Sequence, residues 1–103
     1  MCQSRNAGEV ARRDDTADEG WAIYAQRLAT TLRRAREDAG LSQEQVAYRA
    51  GLTRYTYQKY EKGESRPGTL ANPTLRTLLT IAQVLGVVIE DLIPEDVPDL
   101  RSR

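Results

Sequence analysis

Arg54, Tyr55, Gln58 and Lys59 are spaced so that one side of a helix would carry all four. Their chemistry is hydrogen bonding. A guanidinium and a carboxamide can each hold a partner at two points, and an ammonium and a phenol add further donors. That equipment suits recognition better than turnover. The chain has no His, the commonest acid–base residue and metal ligand. Its single cysteine, Cys2, sits in a polar segment, so no internal disulfide can form and a Cys-based metal site is not expected. No phosphate-binding loop and no metal-ligand spacing is present. Catalysis, a cofactor and a metal are therefore not expected.

These four residues need a rigid support, and the stretch SQEQVAYRAGLTRYTYQKYE from Ser42 to Glu61 provides one. It reads as two short helices joined by a tight turn. Ser42 and Gln45 have the capping-box spacing. Val46, Ala47 and Ala50 make a narrow apolar face, and the small Ala47 allows close approach. Gly51 suits a left-handed helix end, Leu52 is an apolar plug, and Thr53 caps the second helix. Tyr57 and Tyr60 are its inward-facing candidates, whereas Arg54, Tyr55, Gln58 and Lys59 face out. Tyr48 is a surface or interface candidate.

The string SQE-x-VA-x-x-A-G-L-T-R, closed by Tyr60-Glu61-Lys62-Gly63, resembles the helix-turn-helix of the phage lambda repressor and Cro family, also called the Xre family. The resemblance runs from about Leu28 to Pro94. It implies an all-α, five-helix, lambda-repressor-like DNA-binding domain with the helix-turn-helix at helices 2 and 3. It further implies base contacts from Arg54, Tyr55, Gln58 and Lys59. Arg54 would address guanine and Gln58 adenine, and Tyr55 would meet a thymine methyl or a phosphate. Phosphate contacts are expected from Gln43 at the start of helix 2, and from Thr53, Thr56, Lys62 and Arg66. Arg36 and Glu61 stand where the family has a structural ion pair. Relative to the family, residues 68 to 72 form an insertion in the connection after Gly63.

Charge patterning agrees with this reading. The net charge is zero, but residues 21–66 carry nine basic side chains against five acidic ones, whereas each flank carries three against five. A basic middle between acidic ends fits a surface that meets an anionic partner.

The remaining elements follow from periodicity and punctuation. Residues 1–20 are polar and are expected to form a flexible arm. Helix 1 is expected from Trp21 to Ala39, with Trp21, Tyr24, Leu28, Leu32, Ala35 and Ala39 on one stripe. Helix 4 is expected to be capped by Asn72, to begin at Pro73 and to bury Leu75, Leu78, Leu79, Ala82 and Leu85. A last short helix, Val88 to Ile93, precedes Pro94. The domain is thus expected over 21–94, followed by a polar tail over 95–103.

The expected function is sequence-specific binding of double-stranded DNA by a cytoplasmic, nucleoid-associated transcriptional regulator. It would act as a homodimeric repressor, with Trp21, Ile89, Leu92 and Ile93 as interface candidates. No ligand-sensing domain is expected, so abundance, a protein partner or proteolysis would regulate it. There is no long apolar run for a membrane helix. The rival reading is an Xre-type protein-interaction module, such as an antitoxin docking on its toxin, with DNA binding secondary.

Overall fold

The computed structural model describes residues 7–66 and 69–101, with side chains from residue 19 onward except those of 65, 66, 69 and 70. The fold is all-α. Among the described residues there are five helices, α1 (Ala7–Asp38), α2 (Gln43–Ala50), α3 (Arg54–Lys62), α4 (Leu75–Leu85) and α5 (Ile89–Leu92). A small antiparallel ribbon, β1 (Glu64–Arg66) and β2 (Thr69–Leu70), lies between α3 and α4.

Local signals build the α2–turn–α3 unit. Ser42 Oγ accepts the Gln45 N–H at 3.0 Å, and Gln45 Oε1 accepts the Ser42 N–H at 2.8 Å, so each side chain satisfies a backbone donor that the helix cannot. At the far end Gly51 adopts φ 73°, which costs a side-chain-bearing residue more than glycine. This left-handed step lets the Leu52 N–H reach back to the Ala47 carbonyl at 2.8 Å. Thr53 then caps α3, its Oγ1 accepting the Thr56 N–H at 3.0 Å.

One core serves all five helices. The largest fully buried side chains are Leu32, Val46, Tyr57, Ile81 and Leu92, and each helix supplies one of them. Burying a side chain of this size contributes roughly 1.5–3 kcal/mol. The short helices therefore depend on the shared core more than on their own propensity.

The structure revises several expectations. The polar N-terminal segment is helical from Ala7 onward, so α1 starts well before Trp21; residues 1–6 lie outside the described residues. Ala7, Ala11 and Ala17, with Glu9 four residues before Arg13, favour a helix without any burial. Extending a helix that the packed half has already nucleated costs little.

Helix α4 is capped by Thr74, whose Oγ1 accepts the Thr77 N–H at 3.2 Å, rather than by Asn72. Pro73 is buried just ahead of the cap. The helix phase follows that start: Ile81, Ala82 and Leu85 point inward, whereas Leu75 and Leu79 are 66% and 40% exposed. Helix α5 begins at Ile89, with Val88 in the cap position making no side-chain bond. Leu92, an expected interface residue, is fully buried against the core and is unavailable to a partner.

The insertion supplies β2 and Ala71. The Ala71 N–H bonds the Gly63 carbonyl at 2.9 Å, and Trp21 Nε1–H donates to the Ala71 carbonyl at 3.1 Å. Trp21 thus fastens the ribbon to α1 while stacking at a tilt on Tyr24, 5.7 Å between ring centroids. The C-terminal segment also docks on α1. Tyr24 OH donates to the Pro94 carbonyl at 2.8 Å, and a Cβ built on Gly20 would lie 2.9 Å from Pro98 Cβ.

Leu92→Ala should cost about 2–5 kcal/mol in chemical denaturation, because it leaves a cavity in the core where α5 packs on α1 and α4. A loss below about 1 kcal/mol would place Leu92 at the surface instead.

Candidate nucleic-acid interface

The expected contact residues fall into two groups. Arg54 is exposed at the first position of α3, and its side chain makes no hydrogen bond or ion pair with any described residue. It borders a shallow cleft of about 330 Å³ that it shares with Arg36, Ser42, Gln43 and Glu44. The cleft opens at the N-terminus of α2, where backbone N–H groups and the helix dipole favour an anion. Arg54 and Glu44 bring opposite charges to its rim, and the guanidinium of Arg36 is paired with Glu61.

Next to it on α3, Tyr55 is 65% exposed, and Lys59, one turn further along, places its Nζ 4.2 Å from the Tyr55 ring centroid. The pair forms a cation–π contact, so the Lys59 ammonium rests on the ring rather than extending freely from the helix. Thr53 and Thr56 are committed to the cap. Thr53 Oγ1 accepts the Thr56 N–H and donates to Thr56 Oγ1 at 2.9 Å, which leaves the Thr56 hydroxyl proton available. Lys62 is exposed at the opposite end of α3, away from Arg54. The Arg66 side chain lies outside the described residues.

Behind this face lies a second set, centred on Glu61. Its carboxylate is 2% exposed and the Arg36 side chain 14%. Arg36 Nε donates to Glu61 Oε2 at 2.6 Å and Nη2 donates to Oε1 at 3.1 Å, a two-point fork between α1 and α3. Arg36 Nη1 also donates to the Leu41 carbonyl at 3.0 Å, which holds the α1–α2 connection. Gln43 Nε2 donates to Glu61 Oε1 at 2.9 Å, and Gln58 Nε2 donates to Gln43 Oε1 at 3.3 Å. The Gln43 side chain is therefore turned inward, and only its backbone N–H remains directed at the α2 N-terminus.

Burial works to raise the Glu61 pKa, but the hydrogen bonds from Arg36 and Gln43 outweigh it and hold the carboxyl below its usual range. Arg36 is held above its usual range, chiefly by its bond to Glu61. Burial, then the neighbouring Glu61 carboxylate, pushes the Tyr57 phenol far up, so it stays neutral. No described residue stands at hydrogen-bonding geometry to the buried Tyr57 hydroxyl.

The sequence pattern located Arg36 and Glu61 but missed the link through Gln43 to Gln58. The available signal was that Gln58 and Glu61 stand three residues apart on α3, with Gln43 opening the neighbouring helix. Among the described residues, no group of three or more His, Cys, Asp or Glu is placed to hold a metal ion, and no helix is long and apolar enough to cross a membrane.

Arg36→Ala or Glu61→Ala should each cost about 3–5 kcal/mol, since either leaves an enclosed charge unpaired. The double variant should lose less than the sum of the two in thermal unfolding, whereas additive losses would show that the residues do not interact. Because the Glu61 pKa is lowered on folding, its contribution is complete above the ordinary glutamate value and drains away as pH falls through the lowered one. Stability should therefore decline below about pH 4.3 in the native chain, with a shallower decline in Glu61→Ala.

Residues 27–95 match the helix-turn-helix domain family. An SPbeta prophage-derived uncharacterized HTH-type transcriptional regulator from Bacillus subtilis is 39% identical over 56 residues, covering 54% of this chain and 46% of that protein. The match therefore spans just under half the length of that relative. An uncharacterized HTH-type transcriptional regulator from Archaeoglobus fulgidus is 36% identical over 76 residues, covering 74% of this chain and 100% of that protein. No solved structure gives a significant match. With the family match spanning two thirds of the sequence and built on the same α2–turn–α3 unit, the chain belongs to the helix-turn-helix domain family.

Proposed function

We propose that this protein is a sequence-specific double-stranded DNA-binding transcriptional regulator of the lambda repressor and Cro type. It acts in the cytoplasm, on the nucleoid, as a homodimeric repressor and without catalysis. The observation that carries the reading is the placement of Arg54. Its guanidinium is exposed at the start of α3, beside the cleft at the α2 N-terminus, on a helix locked to the body by the Arg36–Glu61 fork. In this arrangement α3 enters the major groove. Arg54 grips guanine O6 and N7, and a backbone phosphate occupies the cleft. The stacked Tyr55–Lys59 pair faces the groove wall, where the ring meets a thymine methyl or a phosphate. The names of the two relatives, both HTH-type transcriptional regulators, support this reading.

Dimerisation is part of the proposal because a single reading helix spans only a few base pairs. The surface proposed for it is the start of α5. Val88 is 59% exposed there, and Ile89 and Ile93 remain partly exposed. Leu92 is excluded by its burial, and Trp21 is engaged with Tyr24 and Ala71. The rival reading, a protein-docking module, finds support in two exposed apolar side chains outside α3, Tyr48 at 85% and Leu75 at 66%. Retarded migration of a promoter fragment by the pure protein at moderate salt favours DNA binding. No shift, with tight copurification of another protein, favours docking.

Arg54→Ala should weaken binding to the best site by about 1–3 kcal/mol and relax the preference at one base pair of each half-site, read by selection from a random DNA pool. An unchanged selected motif would remove Arg54 from the reading surface. Footprinting should show two half-sites about 34 Å apart, one helical turn. A single isolated half-site bound by a species of monomer mass would count against the dimer.

A further inference from the structure

Gln58 lies on the same helix as Arg54 but in a different situation. Arg54 is unconstrained, whereas the Gln58 amide is the outer end of a hydrogen-bonded chain that begins at a buried carboxylate. The direction of that chain is dictated by chemistry. Ionised Glu61 can only accept, so Gln43 must present its NH₂ group to it. The Gln43 oxygen is then necessarily the end that faces Gln58, and Gln58 must in turn offer its own NH₂ group. Reversing either amide would set two acceptors or two donors against each other. The low pKa of Glu61 keeps this direction in place at neutral pH.

One hydrogen of the Gln58 amide is thereby committed to Gln43. The second hydrogen and Oε1 remain, in a fixed order along the helix face. A freely rotating glutamine can present its donor and acceptor in either order, so it discriminates poorly between base edges. A glutamine held in one order matches adenine, whose N7 accepts and whose N6 amino group donates.

We propose that Glu61 and Gln43 are positioning residues for base reading: together they lock the Gln58 amide in the orientation that selects adenine. The inference rests on the assignment of α3 as the DNA-reading helix. It gives Glu61 a role beyond holding α1 to α3, although its carboxylate touches no DNA. It also gives Gln43 two tasks, since its backbone N–H serves the phosphate cleft while its side chain passes the orientation outward.

The test is selection of bound sites from a random double-stranded pool, followed by mobility shift on single-base variants of the selected site. The readout is the ratio of affinities between bases at one position, so uniform losses of affinity or of folded protein cancel. Gln58→Ala should erase an adenine preference at one base pair of each half-site. Gln43→Ala, which leaves the Arg36–Glu61 fork untouched, should weaken the preference at that same base pair by about fivefold or more. Glu61→Gln should do likewise, because the new amide can offer Gln43 either an oxygen or an NH₂ group. In both variants the base pair read by Arg54 should keep its preference. The proposal is overturned if Gln58→Ala erases the adenine preference while Gln43→Ala and Glu61→Gln leave it intact. It is equally overturned if Gln58→Ala changes no position while Arg54→Ala relaxes one. If neither Arg54→Ala nor Gln58→Ala alters any position, the assignment of α3 to DNA fails, and the orientation proposal with it.

Discussion

A carboxylate cannot be taken out of water without replacement partners, and Glu61 is almost completely enclosed. Its partners come from two other helices, Arg36 from α1 and Gln43 from α2, and α3 carries Glu61 itself. This one requirement sets the mutual placement of the three elements that form the candidate interface. The apolar core alone would be less exacting, since dispersion contacts are not directional, whereas a fork geometry with bonds of 2.6 and 3.1 Å fixes both distance and angle. The pair need not add much net stability, because desolvation offsets much of the attraction. Its contribution is to the register between helices.

The proposed reading face is built on that frame in two ways. Arg54 extends from the frame with its guanidinium unconstrained, so it can adapt to a phosphate or a base edge. Gln58 is the opposite case, tied through Gln43 to the buried charge. A surface that combines an adaptable cation with an oriented amide can separate attraction from discrimination. The charge distribution supports the same division, with the excess of basic residues confined to 21–66 and acidic excesses on both sides. Such a pattern attracts a polyanion to one region of an otherwise neutral molecule.

The segment after α3 is held by close backbone approach. Gly63 ends α3 at φ 82°, and a Cβ there would lie 2.5 Å from Gln26 Nε2, the atom that donates to the Lys62 carbonyl at 2.8 Å. The Gly63 carbonyl then receives the Ala71 N–H, and the Ala71 carbonyl receives Trp21 Nε1–H. Through this short series Ala71, and with it the end of the ribbon, is attached to α1.

Several features were legible in the sequence because their causes are local. The α2 capping box, the Gly51 turn and the Thr53 cap each depend on residues within a few positions of one another. The identities of Arg36 and Glu61 were legible too, through the motif that surrounds them. What the sequence could not supply was any quantity that depends on which surfaces meet. Leu75 and Leu79 are as apolar as Leu78 and Leu85, yet the start of α4 at Thr74 and the placement of α1 and α5 decide which of them turn inward. Leu92 looks like an exposed end until the core closes over it. The N-terminal segment is too polar to bury anything, but helix α1, nucleated by the packed half downstream, propagates into it. The amide chain from Glu61 to Gln58 exists only because α2 packs on α3 in one orientation. Hydrogen-bond direction is a property of atoms brought within about 3 Å, and a linear sequence holds no record of that distance.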